Sequence, residues 1–401
     1  MVSYQGINYK CINGHTSQVG WEPPNVPSLW QSTGACSGSG STPTPTPKGT
    51  ATPTGTPISG TGNGRLLAGY WHDFDNGTGF IQLRNVPPAY DIIVVAFATP
   101  VNTTSDITFT VFAGDTNSSG QTVPGETPAQ FTSDLQYLHT QGKKVILSIG
   151  GGASPTIALN NSSDVSTFVN NVSGIVQQYG FDGIDIDFEN HNVFQNSGDT
   201  DIHNPTTPVL VNLIAALNQL AAKFGSSFII TIAPETYYVQ EGYNYPTTPA
   251  YLPVILGIGN NLTYLWVQLY NSGPIMALDN NFYNMGGSDF LVAMSEMTMK
   301  GFDVGHSSSN VFPGVPQEKV LMGVPASVNA GNGYVANSVI ESACDYLIKG
   351  TSDSGSYVLE NPGGYTNMRG IMTWSINWDV FSGSTFGNGM RSYLNSLPAV
   401  R

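Results

Sequence analysis

A (β/α)8 barrel, preceded by a small β-type module and a Thr/Pro-rich linker, is the architecture that this 401-residue sequence predicts. Three observations carry it. From Arg65 onward, eight short apolar runs alternate with stretches whose apolar residues recur at helical spacing. Between Ser37 and Gly64 the composition narrows to Ser, Gly, Thr and Pro, with one charge at Lys48 and no aromatic residue. The residues before Ser37 are dense in aromatics yet too few for a large core. The expected domains are therefore 1–36, a small module; 37–64, a spacer; and 65–401, the barrel.

In the first segment Tyr4, Tyr9, Trp21 and Trp30 stand close together, with Pro23, Pro24 and Pro27 between the two tryptophans. So short a chain needs some of these rings inside; Trp21 is the candidate surface ring and Trp30 the core one. In the spacer, alternating Thr-Pro favours an extended polyproline II path while the Gly/Ser ends stay loose, so two folded parts are held apart semi-rigidly. The barrel runs are residues 66–70, 92–97, 145–149, 183–188, 228–233, 264–270, 320–324 and 370–375. Between them Phe131/Leu135/Leu138, Phe168/Val172/Ile175 and Leu210/Leu213/Ile214/Leu217/Leu220 keep helical spacing. An open doubly wound sheet is the alternative. A closed barrel would put catalytic groups at the C-terminal ends of its strands.

Thirteen Lys+Arg against 27 Asp+Glu leave a net charge of −14, and only 10% of residues are charged. The surface must then be built largely from Ser, Thr, Asn, Gln and Gly, a skin suited to a neutral, hydroxyl-rich partner. Without a Lys/Arg cluster the chain is a poor ligand for a phosphate backbone or an anionic membrane, so neither nucleic acid nor membrane is expected as a partner. No run approaches the ~18 apolar residues of a membrane span. Residues 1–5 offer neither the basic start nor the apolar stretch of a signal peptide. Cys11, Cys36 and Cys344 are too scattered for a zinc or redox motif, and a pair plus one buried thiol is the simple reading. His72 and the other histidines lack metal-ligand spacing, so no metal and no cofactor is expected.

The fourth run carries the chemistry. In Asp182-Gly183-Ile184-Asp185-Ile186-Asp187-Phe188-Glu189, side chains alternate across a strand. Asp185, Asp187 and Glu189 therefore share one face, while Ile184, Ile186 and Phe188 share the other. The apolar face packs on helices, which turns the acids into the barrel with alternate Cα atoms roughly 6.5 to 7 Å apart. Three carboxylates so placed repel and desolvate one another, a cost that stability alone does not explain. An exposed acidic edge strand is the alternative, and the Ile/Phe alternation argues against it.

Asp182, Asp185, Asp187 and Glu189 match the DxxDxDxE signature of glycoside hydrolase family 18, the chitinase family, which this chain resembles. Ser148-Ile149-Gly150-Gly151 is similar to the family's SxGG motif, and Gln268-Leu269-Tyr270-Asn271 to its QxYN variant. The run from Gly370 to Asp379 looks like its last strand, whose tryptophan, here Trp374, floors the reacting sugar. The run VSYQGINYKCINGHTSQVGWEPPNVPSLW resembles the second half of the small chitin-binding modules of carbohydrate-binding families 5 and 12.

These resemblances imply a secreted, monomeric endo-chitinase acting on chitin and N-acetylglucosamine oligomers by retaining, substrate-assisted hydrolysis. Glu189 would be the general acid. Asp187 would orient the substrate's acetamido N–H, with Asp185 behind it and one proton shared within that pair. Tyr270 would donate to the acetamido oxygen. Asp182, of the wrong parity to face inward, would be a structural acid, and Ser148 would bond the inner aspartates. Gly150 and Gly151 support the turn. Tyr70, Trp71, Phe97 and Trp374 at strand ends are candidate sugar-stacking walls, with a core position as the alternative for each single ring. Gln268, Asn271, Glu235 and, in the module, Trp21 complete the binding candidates. Glu235, after Ala233-Pro234, is the only competing strand-end nucleophile. The short stretch between Val324 and Gly370 leaves little room for an added subdomain, so the groove should be shallow and open, favouring mid-chain cleavage. An endo-β-N-acetylglucosaminidase of N-glycan cores and a non-catalytic chitin-binding lectin are the competing functions. The retained Glu189 speaks against the lectin.

Overall fold

In the computed structural model the described residues are 2–4, 7–11, 30–35, 62–116, 120–190, 192–351 and 355–401. The chain divides into two compact units, Met1–Thr52 and Pro53–Arg401. In the first, strands Val2–Tyr4, Ile7–Cys11 and Trp30–Ala35 form a three-stranded antiparallel sheet with the middle strand central. Tyr9 is buried and its neighbour Lys10 exposed, the alternation of a sheet with one covered face. Trp21, Cys36 and nearly all of the expected linker lie outside the described residues.

The second unit is built on eight parallel strands: β1 (Leu66–His72), β2 (Ile92–Pro100), β3 (Lys144–Gly150), β4 (Gly183–Asp187), β5 (Ile229–Ile232), β6 (Tyr264–Leu265), β7 (Leu321–Pro325) and β8 (Gly370–Trp374). They lie in the order β6-β5-β4-β3-β2-β1-β8-β7. Bridges Leu265 to Val320 and Gln268 to Gly323 join the two ends and close the ring. The expected barrel, not the open sheet, is what forms.

Strand parity sorts the barrel into two layers. Leu66, Ala68, Tyr70, Ile92, Val94, Ile146, Trp266 and Met372 pack inside. Leu67, Trp71, Ile93, Val95, Ile184, Ile186 and Phe188 join the outer core under the helices. Those helices are α1 (Pro128–Thr140), α2 (Ser162–Tyr179), α3 (Pro208–Phe224), α4 (Tyr251–Ile258), α5 (Ser288–Lys300), α6 (Asn337–Lys349), α7 (Ile376–Phe381) and α8 (Thr385–Ser396). The apolar triplets read from the sequence lie on the buried faces of α1 and α2. Thr127 starts α1 with a reciprocal cap to Gln130, and Asn161 caps α2 through the N–H groups of Ser163 and Asp164.

The sixth strand is shorter than the expected 264–270. β5 ends at Ile232, and Pro234 beyond it has no N–H with which to continue a ladder. From Trp266 the chain stays extended but is held by separate bonds: Trp266 N–H to Ile232 O (3.1 Å), Gln268 N–H to Pro234 O (2.8 Å) and Leu269 N–H to Gly323 O (3.0 Å). Between β7 and β8 the described residues contain α6 and no strand, so no sheet-bearing subdomain rises there beside the mouth. Cys344 sits buried and unpaired in α6.

Candidate active site

β4 delivers its acids by register. Asp185 pairs with Ser148 on β3 and with Thr231 on β5, so three polar side chains meet at one level of an otherwise apolar interior. Asp185 is 0% exposed and accepts from three hydroxyls: Ser148 (2.7 Å), Tyr70 (2.7 Å) and Thr231 (2.6 Å). Burial still raises its pKa, because these bonds offset only part of the desolvation. The indole N–H of Trp266 donates to the Tyr70 oxygen at 3.3 Å and fixes that ring.

One level up, Asp187 and Glu189 are bridged by a single amide. Gln268 Nε2 donates to Asp187 Oδ1 (2.9 Å), to Glu189 Oε1 (3.3 Å) and to Ala233 O (3.0 Å). Burial raises both carboxyls, and the adjacent Glu189 charge followed by that of Asp185 pushes Asp187 well above the usual range. In the Asp185/Asp187 pair, expected to share one proton, Asp185 holds three hydroxyl donors while Asp187 feels both the Glu189 and the Asp185 charge. Tyr270 is buried beside them, and burial with the Asp187 charge lifts its pKa well above the usual phenol value, so it remains a hydroxyl donor.

These groups open into a pocket of about 510 Å3 that also exposes Phe97, Asn271 and Trp374. Trp374 stacks near-parallel to Phe97 (5.8 Å, 18°) and lies against His72 (4.5 Å), itself stacked on Phe74 (4.8 Å, 3°). Two ring candidates fall elsewhere. Trp71 has outward parity and bonds Ile81 O through its indole (2.9 Å). Tyr70 is 1% exposed and lies beneath the pocket, its hydroxyl spent on Asp185, so it is not a groove wall.

The Gly150-Gly151 turn is required by close approach. Both residues have positive φ (117° and 88°), and a Cβ would run into the Asp187 carbonyl at the first and the Phe97 ring at the second. Asn271, also at positive φ, accepts Asn332 N–H at 2.8 Å and so ties the β6 loop to the β7 loop. Glu235 is half-buried with Oε2 unpaired; burial and then the Glu189 charge raise its pKa. Asp182 sits at the other end of β4, bonded by His139 Nε2 (2.7 Å), Lys144 Nζ (2.7 Å) and Val145 N–H (2.8 Å). Burial opposes its ionised form, but those bonds outweigh it and hold the carboxyl below the usual range.

Sequence reading missed Thr231, Trp266, Asp73 and Phe74. Thr231 carried a signal, as the one polar residue among the isoleucines of β5. Asp73, Phe74, Thr99 and Thr110 also line the pocket; Thr99 lies near the end of β2, and the other three come from loop segments where no periodicity marks a side chain's direction. Among the described residues no group of His, Cys, Asp and Glu could hold a metal ion.

Residues 67–379 match the family Glycosyl hydrolases family 18, and residues 1–31 match Carbohydrate-binding module family 5/12. The chain is 37% identical over 482 residues to Chitinase D of Niallia circulans, covering 99% of this chain and 90% of that protein. It is 43% identical over 352 residues to Exochitinase 1 of Streptomyces olivaceoviridis, covering 83% of this chain and 58% of that protein. Among solved structures, a family GH18 chitinase from Chromobacterium violaceum matches with a TM-score of 0.73 at 33% identity, over 98% of this chain and 96% of that one.

Proposed function

The chain belongs to glycosyl hydrolase family 18, and from that premise we propose that it cleaves internal β-1,4 bonds between N-acetylglucosamine units of chitin with retention at C1. The observation that carries the reading is the Asp187/Glu189 pair bridged by Gln268, with Tyr270 beside it in one pocket.

Glu189, its carboxyl raised by burial, gives its proton to the leaving glycosidic oxygen as the C1–O bond breaks. The acetamido carbonyl oxygen of the same sugar forms a bond to C1, yielding an oxazolinium ion. Asp187 accepts the acetamido N–H and balances the positive charge, while the Tyr270 hydroxyl donates to the acetamido oxygen and holds it in line. Water then adds to C1, its proton returning to Glu189, and the acetamide is regenerated. Asp185 and its hydroxyl partners fix the row from below. Trp374 and Phe97 offer flat apolar faces to the pyranose rings.

No pocket carboxylate is set up to replace the acetamide. Asp73 bonds Phe112 N–H, and burial pushes its pKa up to about 8, which leaves a largely protonated, weak nucleophile at neutral pH. The mouth beside α6 lacks an added subdomain, which favours endo action, although the relatives' names include an exochitinase. The family 5/12 match favours a chitin-targeting role for residues 1–36 and work outside the cell.

A product time course on defined N-acetylglucosamine oligomers, with anomer analysis, tests substrate, endo action and retention together. The first-formed reducing ends should be β. Glu189→Gln should lower turnover by about 10² to 10⁴-fold while oligomer binding persists. Inverted products, or equal activity in Glu189→Gln, would overturn the mechanism.

A further inference from the structure

Three half-buried aromatic rings line the pocket: Phe74, Phe97 and Trp374. A fourth ring joins them from behind. His72 ends β1 and continues the inward set Leu66, Ala68 and Tyr70, one strand repeat higher. It is 0% exposed and does not itself line the pocket. Its imidazole lies on Phe74 (4.8 Å, 3°) and against Trp374 (4.5 Å, 35°), while Phe97 stacks on both Phe74 (6.4 Å, 21°) and Trp374 (5.8 Å, 18°). The four rings close a cycle, and His72 supplies its two shortest contacts.

His72 also ties down the chain that carries Trp374. Its backbone N–H donates to Asn377 Oδ1 at 2.8 Å, in the first turn of α7 just beyond Trp374. Ring and backbone of one residue thus join the end of β1 to the end of β8. The ring nitrogens, by contrast, have no hydrogen-bond partner among the described residues. The Asn76 side chain lies near the ring without bonding it; burial outweighs that neighbour and the Asp75 charge, lowers the pKa to about 3 and keeps the imidazole neutral. A buried polar ring left unpaired opposes folding, so stability alone would favour an aliphatic side chain here. What an aliphatic chain lacks is a flat face to hold an indole at a fixed tilt.

We propose that His72 is a positioning residue for the substrate: it holds the Trp374 ring at the tilt on which a sugar of the bound chain stacks, and so sets affinity for N-acetylglucosamine oligomers. This rests on the chitinase reading above. Because His72 lies outside the pocket lining, it acts through Trp374. A stacked sugar face is held alike before and during bond cleavage, so loosening Trp374 weakens both states equally and leaves the chemical step as it was. The effect belongs in KM.

The test is steady-state kinetics on N-acetylglucosamine oligomers with wild type, His72→Leu, Trp374→Ala and the double variant. His72→Leu removes both the flat face and the unpaired nitrogens. KM should rise by up to about tenfold, the range of one aromatic contact, with kcat within about twofold and Tm no lower than in the wild type. In the Trp374→Ala background the same change should move KM by less than about twofold, because the ring it acts through is gone. His72→Met, a flexible chain, carries the same expectations and serves if His72→Leu fails to fold. An unchanged KM, a loss confined to kcat, or an equal rise in the Trp374→Ala background overturns the proposal. Inertness of the wild type toward the oligomers would sink the chitinase reading itself, whereas cleavage of them with an unchanged KM in His72→Leu sinks only the role of His72.

Discussion

Asp182 and Asp187 stand at opposite ends of β4, and the protein moves their carboxyls in opposite directions. At the lower end Asp182 meets the Lys144 ammonium, the His139 ring and a backbone N–H, and it is held below the usual range. At the upper end Asp187 meets an amide and two further acids, with no cationic side chain in the pocket lining, and it is raised. Both ends are largely buried, so burial alone does not separate them; the partners do. A barrel can keep its lower rim for stability and its upper rim for chemistry because the two lie a full strand length apart.

The largest expected effect comes from erasing the upper member. Asp187→Asn removes the acceptor for the acetamido N–H and should lower kcat by about 10² to 10⁴-fold on N-acetylglucosamine oligomers. It should also raise Tm at neutral pH. An acid whose folded pKa is raised holds its proton longer in the folded state, so stability falls as pH climbs from the unfolded value through the folded one. Asparagine removes that loss. The wild type should therefore gain stability relative to Asp187→Asn as pH falls through the same window, and a Tm difference with no pH dependence would show that Asp187 is not raised.

Tyr270→Phe should come next, with kcat falling by about 10²-fold and KM nearly unchanged, since its hydroxyl is assigned to charge that grows in the transition state. A change confined to KM would move Tyr270 to ground-state sugar binding. The far-UV spectrum and Tm should stay close to wild type, because among the described residues none depends on that hydroxyl in the way Asp185 depends on Tyr70.

What the sequence made legible followed strand parity. Alternation along Gly183–Asp187 placed Ile184 and Ile186 outside and the acids inside, and the two core layers have that arrangement. The same rule, had it been applied to β1, would have turned Trp71 outward. It fails for Tyr70 in a different way: the ring does face inward, but depth along the strand, which parity does not encode, puts it below the pocket. The bonding around Asp185 was hidden for a related reason. Spacing makes Asp185 and Asp187 neighbours, but Ser148 and Thr231 come from the adjacent strands, and only the register between strands shows that they bond Asp185. Asp73 and Thr110 lie in loops, where neither period applies.

The smallest effect belongs to the lower end of β4. Asp182→Asn should leave turnover at moderate temperature unchanged, since Asp182 touches nothing in the pocket. It should cost about 1 to 3 kcal/mol of folding stability at pH 7, the range for losing bonds to a charged acceptor. Because its folded pKa lies below the unfolded one, the contribution of Asp182 is complete above the ordinary carboxylate value, about 3.9, and is lost as pH falls through the folded value. The Tm gap between wild type and Asp182→Asn should thus be widest near neutrality and close under acid, opposite in sign to the gap for Asp187→Asn. If both gaps moved the same way with pH, the contrast in partners at the two ends of β4 would not be what sets their carboxyls apart.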